Sequence, residues 1–276
     1  MVNKDVLPSI YIGHGSPTNA IETGKYQTDV AQYASSIDDI SAIVAVSAHW
    51  EQYIPLQITS ASIPGVIYDF YGFPDEMYRL EYNAPGNPKL AIRIARMLKS
   101  KGWETTLNSQ QGLDHGTWVP LRLMYPEADI PVLQLSIPIP RSPENMFKIG
   151  AILSPLREEG ILFMGSGNLI HNLPYVMYQL RQGKLDPSAL TSSGPVDDWA
   201  QETDEWIKER LDNLEVDRLL QAPEKAPNFK MAAPTTEHFD PIYFVLGTLR
   251  AGETVHNFHE GIQAGSLSMR SFALEA

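Results

Sequence analysis

The residues in this chain best suited to chemistry are its histidines. There are seven in 276 residues, and five of them sit in turns beside glycine, asparagine or an acidic side chain. These are His14 in Gly13-His14-Gly15-Ser16-Pro17, His49 in Ser47-Ala48-His49-Trp50 and His115 in Asp114-His115-Gly116-Thr117-Trp118. The others are His171 in the run Ser166 to Leu173, and His238 in Glu237-His238-Phe239. Any one of them alone is better read as a hydrogen-bonded structural residue, but five together are not. Imidazole nitrogen suits zinc, iron, copper and nickel. It also gains and loses a proton near neutral pH, because its unperturbed pKa is about 6.5. The ligands are scattered, and H-E-x-x-H is absent. Such a set fits a site assembled from several strand ends, and its spacing leaves open whether it is a hydrolytic zinc site or an iron oxygenase. The remaining pair, His256 and His259, has H-x-x-H spacing. Asn257-Phe258 and the neighbouring Gly and Thr disfavour a helix there, so the two read as surface residues.

The elements that would position the five follow from the apolar runs. Ala42–Ser47 is near-continuous, small and β-branched, as expected of a strand buried on both faces of a parallel sheet, and it stops just before His49. Leu7–Ile12 ends at the His14 turn, and Ile161–Met164 runs into Gly165-Ser166-Gly167-Asn168 and then His171. In open α/β sheets ligands sit at the carboxyl ends of strands. Further strands are expected at Tyr53–Thr59, Glu104–Leu107, Pro131–Ile137 and Leu267–Leu274. Helices are expected at Tyr26–Ser36, after Asn87-Pro88, at Trp118–Met124, after Ser142-Pro143, at Val196–Leu214 and at Ile242–Leu249. Leu180–Gly194 and the Pro-rich stretch Pro223–Thr236 read as irregular. The alternation predicts an α/β fold, a single domain over residues 1–276 with a central mixed, largely parallel sheet flanked by helices. Ile63–Pro74, with Tyr68, Phe70, Tyr71 and Phe73, reads equally as a self-packed aromatic loop or as the wall of a pocket for a flat substrate.

Bulk properties narrow the function. A formal charge of −12 argues against nucleic acid as a partner. The absence of cysteine excludes disulfides, thiolate metal sites and thiol nucleophiles. No apolar run approaches the ~18 residues of a membrane span and the first fifteen residues carry no signal-type core, so a cytoplasmic location is expected. Gly165-Ser166-Gly167 imitates the start of a dinucleotide-binding loop, but Ile170 takes the third glycine position. Neither Ser16 nor Ser166 completes a G-x-S-x-G elbow.

The five histidine motifs, in this order, with Glu260-Gly261-Ile262 and Gly265-Ser266-Leu267-Ser268-Met269 near the end, resemble the class III extradiol ring-cleaving dioxygenases. The likeness is to the DOPA dioxygenase-like branch of the LigB superfamily and spans nearly the whole chain. It implies a mononuclear non-haem Fe(II), with zinc possible as the bound ion, held by His14, His49 and His238. His238 stands where relatives that cleave protocatechuate use a glutamate. The resemblance makes His171 an acid/base residue close enough to touch the metal, and His115 a second catalytic histidine. It implies a catechol substrate and O2, opened to a muconate-semialdehyde-type product. Asp114 and Asn172 are adjacent candidates for orienting the rings. By elimination, Arg79 and Arg122 are the candidate cations for a substrate carboxylate. The alternative is a zinc protein of the same fold with a hydrolytic or ligand-binding role. Oligomeric state is not legible.

Overall fold

The computed structural model describes residues 6–192 and 194–276. The first five residues of the stretch read for a signal peptide, and Ser193 in the irregular segment, lie outside them. Six strands form the central sheet: β1 (Ser9–Gly13), β2 (Ala42–Ser47), β3 (Val132–Gln134), β4 (Ile161–Gly167), β5 (Thr254–His259) and β6 (Ser271–Glu275). Their spatial order is β3-β2-β4-β1-β6-β5. The first four run parallel, while β6 is antiparallel to β1 and β5 antiparallel to β6.

Every residue of β1, β2 and β4 is buried, because both faces of the sheet are covered. Successive side chains therefore feed two cores. Tyr11, Val44, Val46 and Phe163 enter one, with the helices Pro88–Ser100, Pro143–Leu153 and Pro241–Gly247. Ile10, Ile12, Ile43, Leu162 and Met164 enter the other, with Lys25–Ala34 and His115–Met124. The sheet also lines up its parallel ends. Gly13 of β1 pairs with Gly167, and Ser47 of β2 with Ser166, so three carboxyl ends finish side by side.

Glycines bring the helix Pro241–Gly247 against this edge. A Cβ on Gly165 would lie 2.6 Å from the Pro241 carbonyl oxygen, and one on Gly167 would lie 2.0 Å from that of His238. On its other side the helix meets Pro143–Leu153 backbone to backbone, since a Cβ on Gly247 would lie 2.0 Å from the Phe147 carbonyl oxygen. The start of this helix, and His238 before it, is fixed by contacts that admit no side chain.

Several sequence expectations are corrected. The Tyr53–Thr59 run is two strands, Glu51–Tyr53 and Leu56–Thr59, divided at Ile54-Pro55 where proline offers no donor. Pro131–Ile137 likewise divides into β3 and Ile137–Ile139. The Pro-rich stretch holds the short helices Ala222–Lys225 and Phe229–Ala232. Leu173–Arg181 is a helix, with Asn172 accepting from the Tyr175 N–H at 3.0 Å. His256 and His259 lie on β5. His259 is 7% exposed, so it is not a surface residue; Tyr26 packs edge-on to its ring. No helix among the described residues is long and apolar enough to cross a membrane.

Candidate metal centre

His14 follows β1 by one residue and His49 follows β2 by two. Their Nε2 atoms face each other at 3.2 Å. Ser166, in β4, decides the His14 tautomer: its hydroxyl donates to the Gly116 carbonyl, so its oxygen accepts from His14 Nδ1 at 2.9 Å. Nδ1 then carries the proton, and Nε2 points a lone pair into the cluster. His238 comes from the approach to the Pro241–Gly247 helix. Its ring centroid lies 5.4 Å from that of His14 and 4.9 Å from that of His49. Its Nδ1 sits 3.2 Å from Glu237 Oε1, which again leaves Nε2 unengaged by the carboxylate. One ligand atom from each of His14, His49 and His238 falls within 4.8 Å of the others.

His115 opens the helix His115–Met124, for which Asp114 accepts from the Thr117 N–H at 3.1 Å. Its ring centroid is 4.0 Å from that of His49. Gly116, next in the helix, sits against His14 and His49. A Cβ there would meet Ser47 Oγ at 2.5 Å, His49 Cδ2 at 2.9 Å and His14 Cε1 at 3.2 Å, so only glycine lets the rings converge. His171 stacks face to face on His238, with centroids 3.6 Å apart and planes 7° apart. It belongs with Glu237 and His238 in a second potential donor group, outside the His14–His49–His238 trio.

Burial dominates the electrostatics. It holds His14 and His49 well below the usual imidazole range, with the neighbouring imidazoles adding to the effect. It lowers His171 to about 3 and lowers His238 too, although the Glu237 carboxylate pulls His238 the other way. Burial would raise Glu237, but its bonds to His238, Thr235 and backbone together with charge at His238 outweigh this, and the carboxyl falls to about 2. A cluster of neutral imidazoles whose ring nitrogens converge beside ionised carboxylates is a donor set fitted to a divalent cation. Nitrogen ligands favour iron, zinc, copper or nickel over magnesium or calcium.

Sequence reading missed Asp69. It lies in the aromatic loop, with Oδ1 2.9 Å from His115 Nδ1 and 3.0 Å from the His115 backbone N–H, and Oδ2 3.7 Å from His49 Nδ1. The Nδ1 contact is close but lacks the in-line geometry of a hydrogen bond. Burial raises the Asp69 carboxyl, and hydrogen bonding and charge at His115 more than reverse it. The signal was available, since Asp69 is the one acidic residue between Ile63 and Pro74. The loop packs on itself, as the first of its two readings expected. Phe70, Phe73, Tyr68, Tyr78 and Trp118 pack on one another, while Phe70 also stands edge-on to His115 at 5.8 Å.

Asp114 and Asn172 bond neighbouring side chains and backbone in place of rings. Asp114 accepts from Ser47 Oγ at 2.7 Å and from Gln134 Nε2, and Asn172 caps its helix and donates to the Met231 carbonyl at 2.7 Å. Arg79 is exposed in a single turn of 3-10 helix, and Arg122 is half-buried on the helix that His115 opens. The cation bonded beside the cluster is Arg141, which the sequence did not single out; it donates to Glu237 Oε2 at 3.2 Å.

Comparison with known proteins matches residues 8–268 to the catalytic LigB subunit of aromatic ring-opening dioxygenase. The chain belongs to this family. As a member it is an enzyme, an extradiol aromatic ring-opening dioxygenase. It is 35% identical to a 4,5-DOPA dioxygenase extradiol of Beta vulgaris, over 97% of this chain and 96% of that one. It is 36% identical to another of the same description from Escherichia coli K12, over 96% and 93% respectively. A crystal structure of an uncharacterized E. coli K12 protein superposes with a TM-score of 0.77 at 32% identity, covering 97% of this LigB-family chain and 99% of that one.

Proposed function

We propose that the chain uses Fe(II), held by His14, His49 and His238, to open the ring of DOPA or a closely related catechol with O2, giving a muconate-semialdehyde-type product. The observation that carries this reading is the convergence of three neutral imidazoles flanked by two more. The metal, when bound, supplies Lewis acidity toward the catechol oxygens and a redox centre for O2. Everything else falls to the chain. His171 is unprotonated at neutral pH, the state a general base starts from, and takes a proton from a catechol hydroxyl. His115, braced at Nδ1 by Asp69, has Nε2 on the far side of its ring to hydrogen-bond substrate and return a proton as the ring opens. Phe70, edge-on to His115, offers an apolar wall for a flat ring and helps keep water out.

A zinc centre that hydrolyses or only binds would need the trio and one base; it gives no role to both His115 and His171. Anaerobic reconstitution with Fe(II), then air and L-DOPA, tests the proposal. A yellow product with one O2 consumed per substrate is the expected result. Iron-loaded protein that opens neither DOPA, protocatechuate nor caffeate would overturn it in favour of zinc.

A further inference from the structure

Arg141 follows the strand Ile137–Ile139, which pairs with Glu51–Tyr53, by two residues. Its Nη1 donates to Glu51 Oε1 at 2.7 Å and to Glu237 Oε2 at 3.2 Å, and its Nε lies 3.7 Å from Asp240 Oδ2. Glu237 uses its other oxygen differently. Oε1 meets His238 Nδ1 at 3.2 Å and accepts from Thr235 Oγ1 at 2.9 Å. One carboxylate thus joins a guanidinium to an imidazole, with each oxygen committed to one side. Adjacency in sequence does not enforce this, because a glutamate side chain has three rotatable bonds. In another rotamer Glu237 could serve as a ligand itself, since its oxygen already lies within 4.8 Å of donor atoms of His171 and His238.

We propose that Arg141 is a positioning residue: it fixes Glu237 on His238 Nδ1, so that His238 turns Nε2 toward His14 and His49. This rests on the assignment of His238 as a ligand. A guanidinium suits the task because the two N–H groups of Nη1 are fixed in its plane, one toward Glu51 and one toward Glu237, whereas a lysine ammonium is a point charge on a flexible stem.

The test reads metal affinity, not turnover: Zn(II) binding to the metal-free chain by competition with a chelator. Glu237→Gln should weaken binding about 10–100-fold, the usual consequence of losing a carboxylate behind a metal-bound histidine. Arg141→Met should weaken it in the same direction by several-fold, and Arg141→Lys should fall between that variant and the wild type. Arg141→Met combined with Glu237→Gln should be no worse than Glu237→Gln alone, because the arginine acts through the glutamate. Simple electrostatics predicts the opposite sign, since removing a positive charge beside Glu51, Glu237 and Asp240 would draw a cation in. Unchanged or tighter binding by Arg141→Met, or a loss that adds in full to that of Glu237→Gln, would overturn the proposal. The side chain of Arg141 is 29% exposed, so the variants should fold; if Arg141→Met does not, Arg141→Lys carries the test, with wild-type affinity as the overturning result. Failure of the underlying metal assignment is separately visible, because His238→Ala would then leave Zn(II) affinity intact.

Discussion

Histidines occupy two places on this sheet, and they behave differently. At the carboxyl ends of the parallel strands, five rings crowd together with centroids as close as 3.6 and 4.0 Å, and Nε2 of His14 and His49 meet without a carboxylate between them. On the antiparallel edge strand β5, His259 and His256 stand apart, each paired through Nδ1 with one carboxylate, Asp29 or Glu275, at 2.8 Å. Each also lies edge-on to a tyrosine, Tyr26 or Tyr33. The edge pairs are complete as they stand. The cluster is not: its ring nitrogens converge on one another, an arrangement that favours a cation between them. The difference arises from topology. Parallel strands deliver their ends to one place, while an antiparallel edge spaces its residues along the sheet.

Substitution at the two places should separate them most. His49→Ala is expected to lose metal and reduce ring opening to background, as measured by oxygen uptake and metal content. His259→Ala should keep both and lower the melting temperature instead, by an amount equivalent to about 1–3 kcal/mol for a buried polar partner removed. Activity lost in His259→Ala with full metal content would break the contrast.

Within the cluster, the trio and the flanking rings should also part. His115→Ala and His171→Ala are each expected to retain metal and to lose about 10²–10⁴-fold in kcat, the usual share of a positioned proton donor or acceptor. Retained activity in either would remove its assigned role. Asp69→Asn should cost less, about 10–100-fold, because the amide keeps the shape of the Asp69 side chain while losing the charge that braces His115. Metal content unchanged with kcat reduced would place its effect on His115; a loss of metal would place it on His49, whose Nδ1 is 3.7 Å away.

Much of this contrast was legible in the sequence. β1, β2 and β4 read as buried runs, and the glycines around His14, His115 and Asn168 marked turns at their ends. The residues that orient the rings were less so. Ser166 looked like part of a failed nucleotide loop, and Asp69 and Arg141 were not singled out at all. Each acts on a residue 46 or more positions away, or, for Arg141, 96, so no local pattern connects them. Adjacency favoured Asp114 and Asn172, but side chains just before a helix are drawn to its free N–H groups, and both cap helices. β5 was missed because its outward positions are polar and half-exposed, the pattern of an edge strand with little apolar periodicity.

The smallest effect concerns pH at the edge. Burial lowers the His259 pKa in the folded chain, and this outweighs the opposing pull of Asp29. Unfolded, the same imidazole titrates near its free value of about 6.5. The unfolded state therefore binds the extra proton first as pH falls, and stability contributed by neutral His259 is present above that pH and declines below it. Asp29 adds a second loss in the same direction at lower pH. Its carboxyl is raised by burial but held below the ordinary aspartate range by its bonds to Lys25 and His259, so it resists protonation when folded. For one proton the His259 slope cannot exceed about 1.4 kcal/mol per pH unit. Replacing His259 with Gln should flatten the urea-unfolding free energy between pH 7 and pH 5.5 by no more than that, with metal-binding residues intact. An unchanged slope would mean that the edge histidine does not titrate on unfolding.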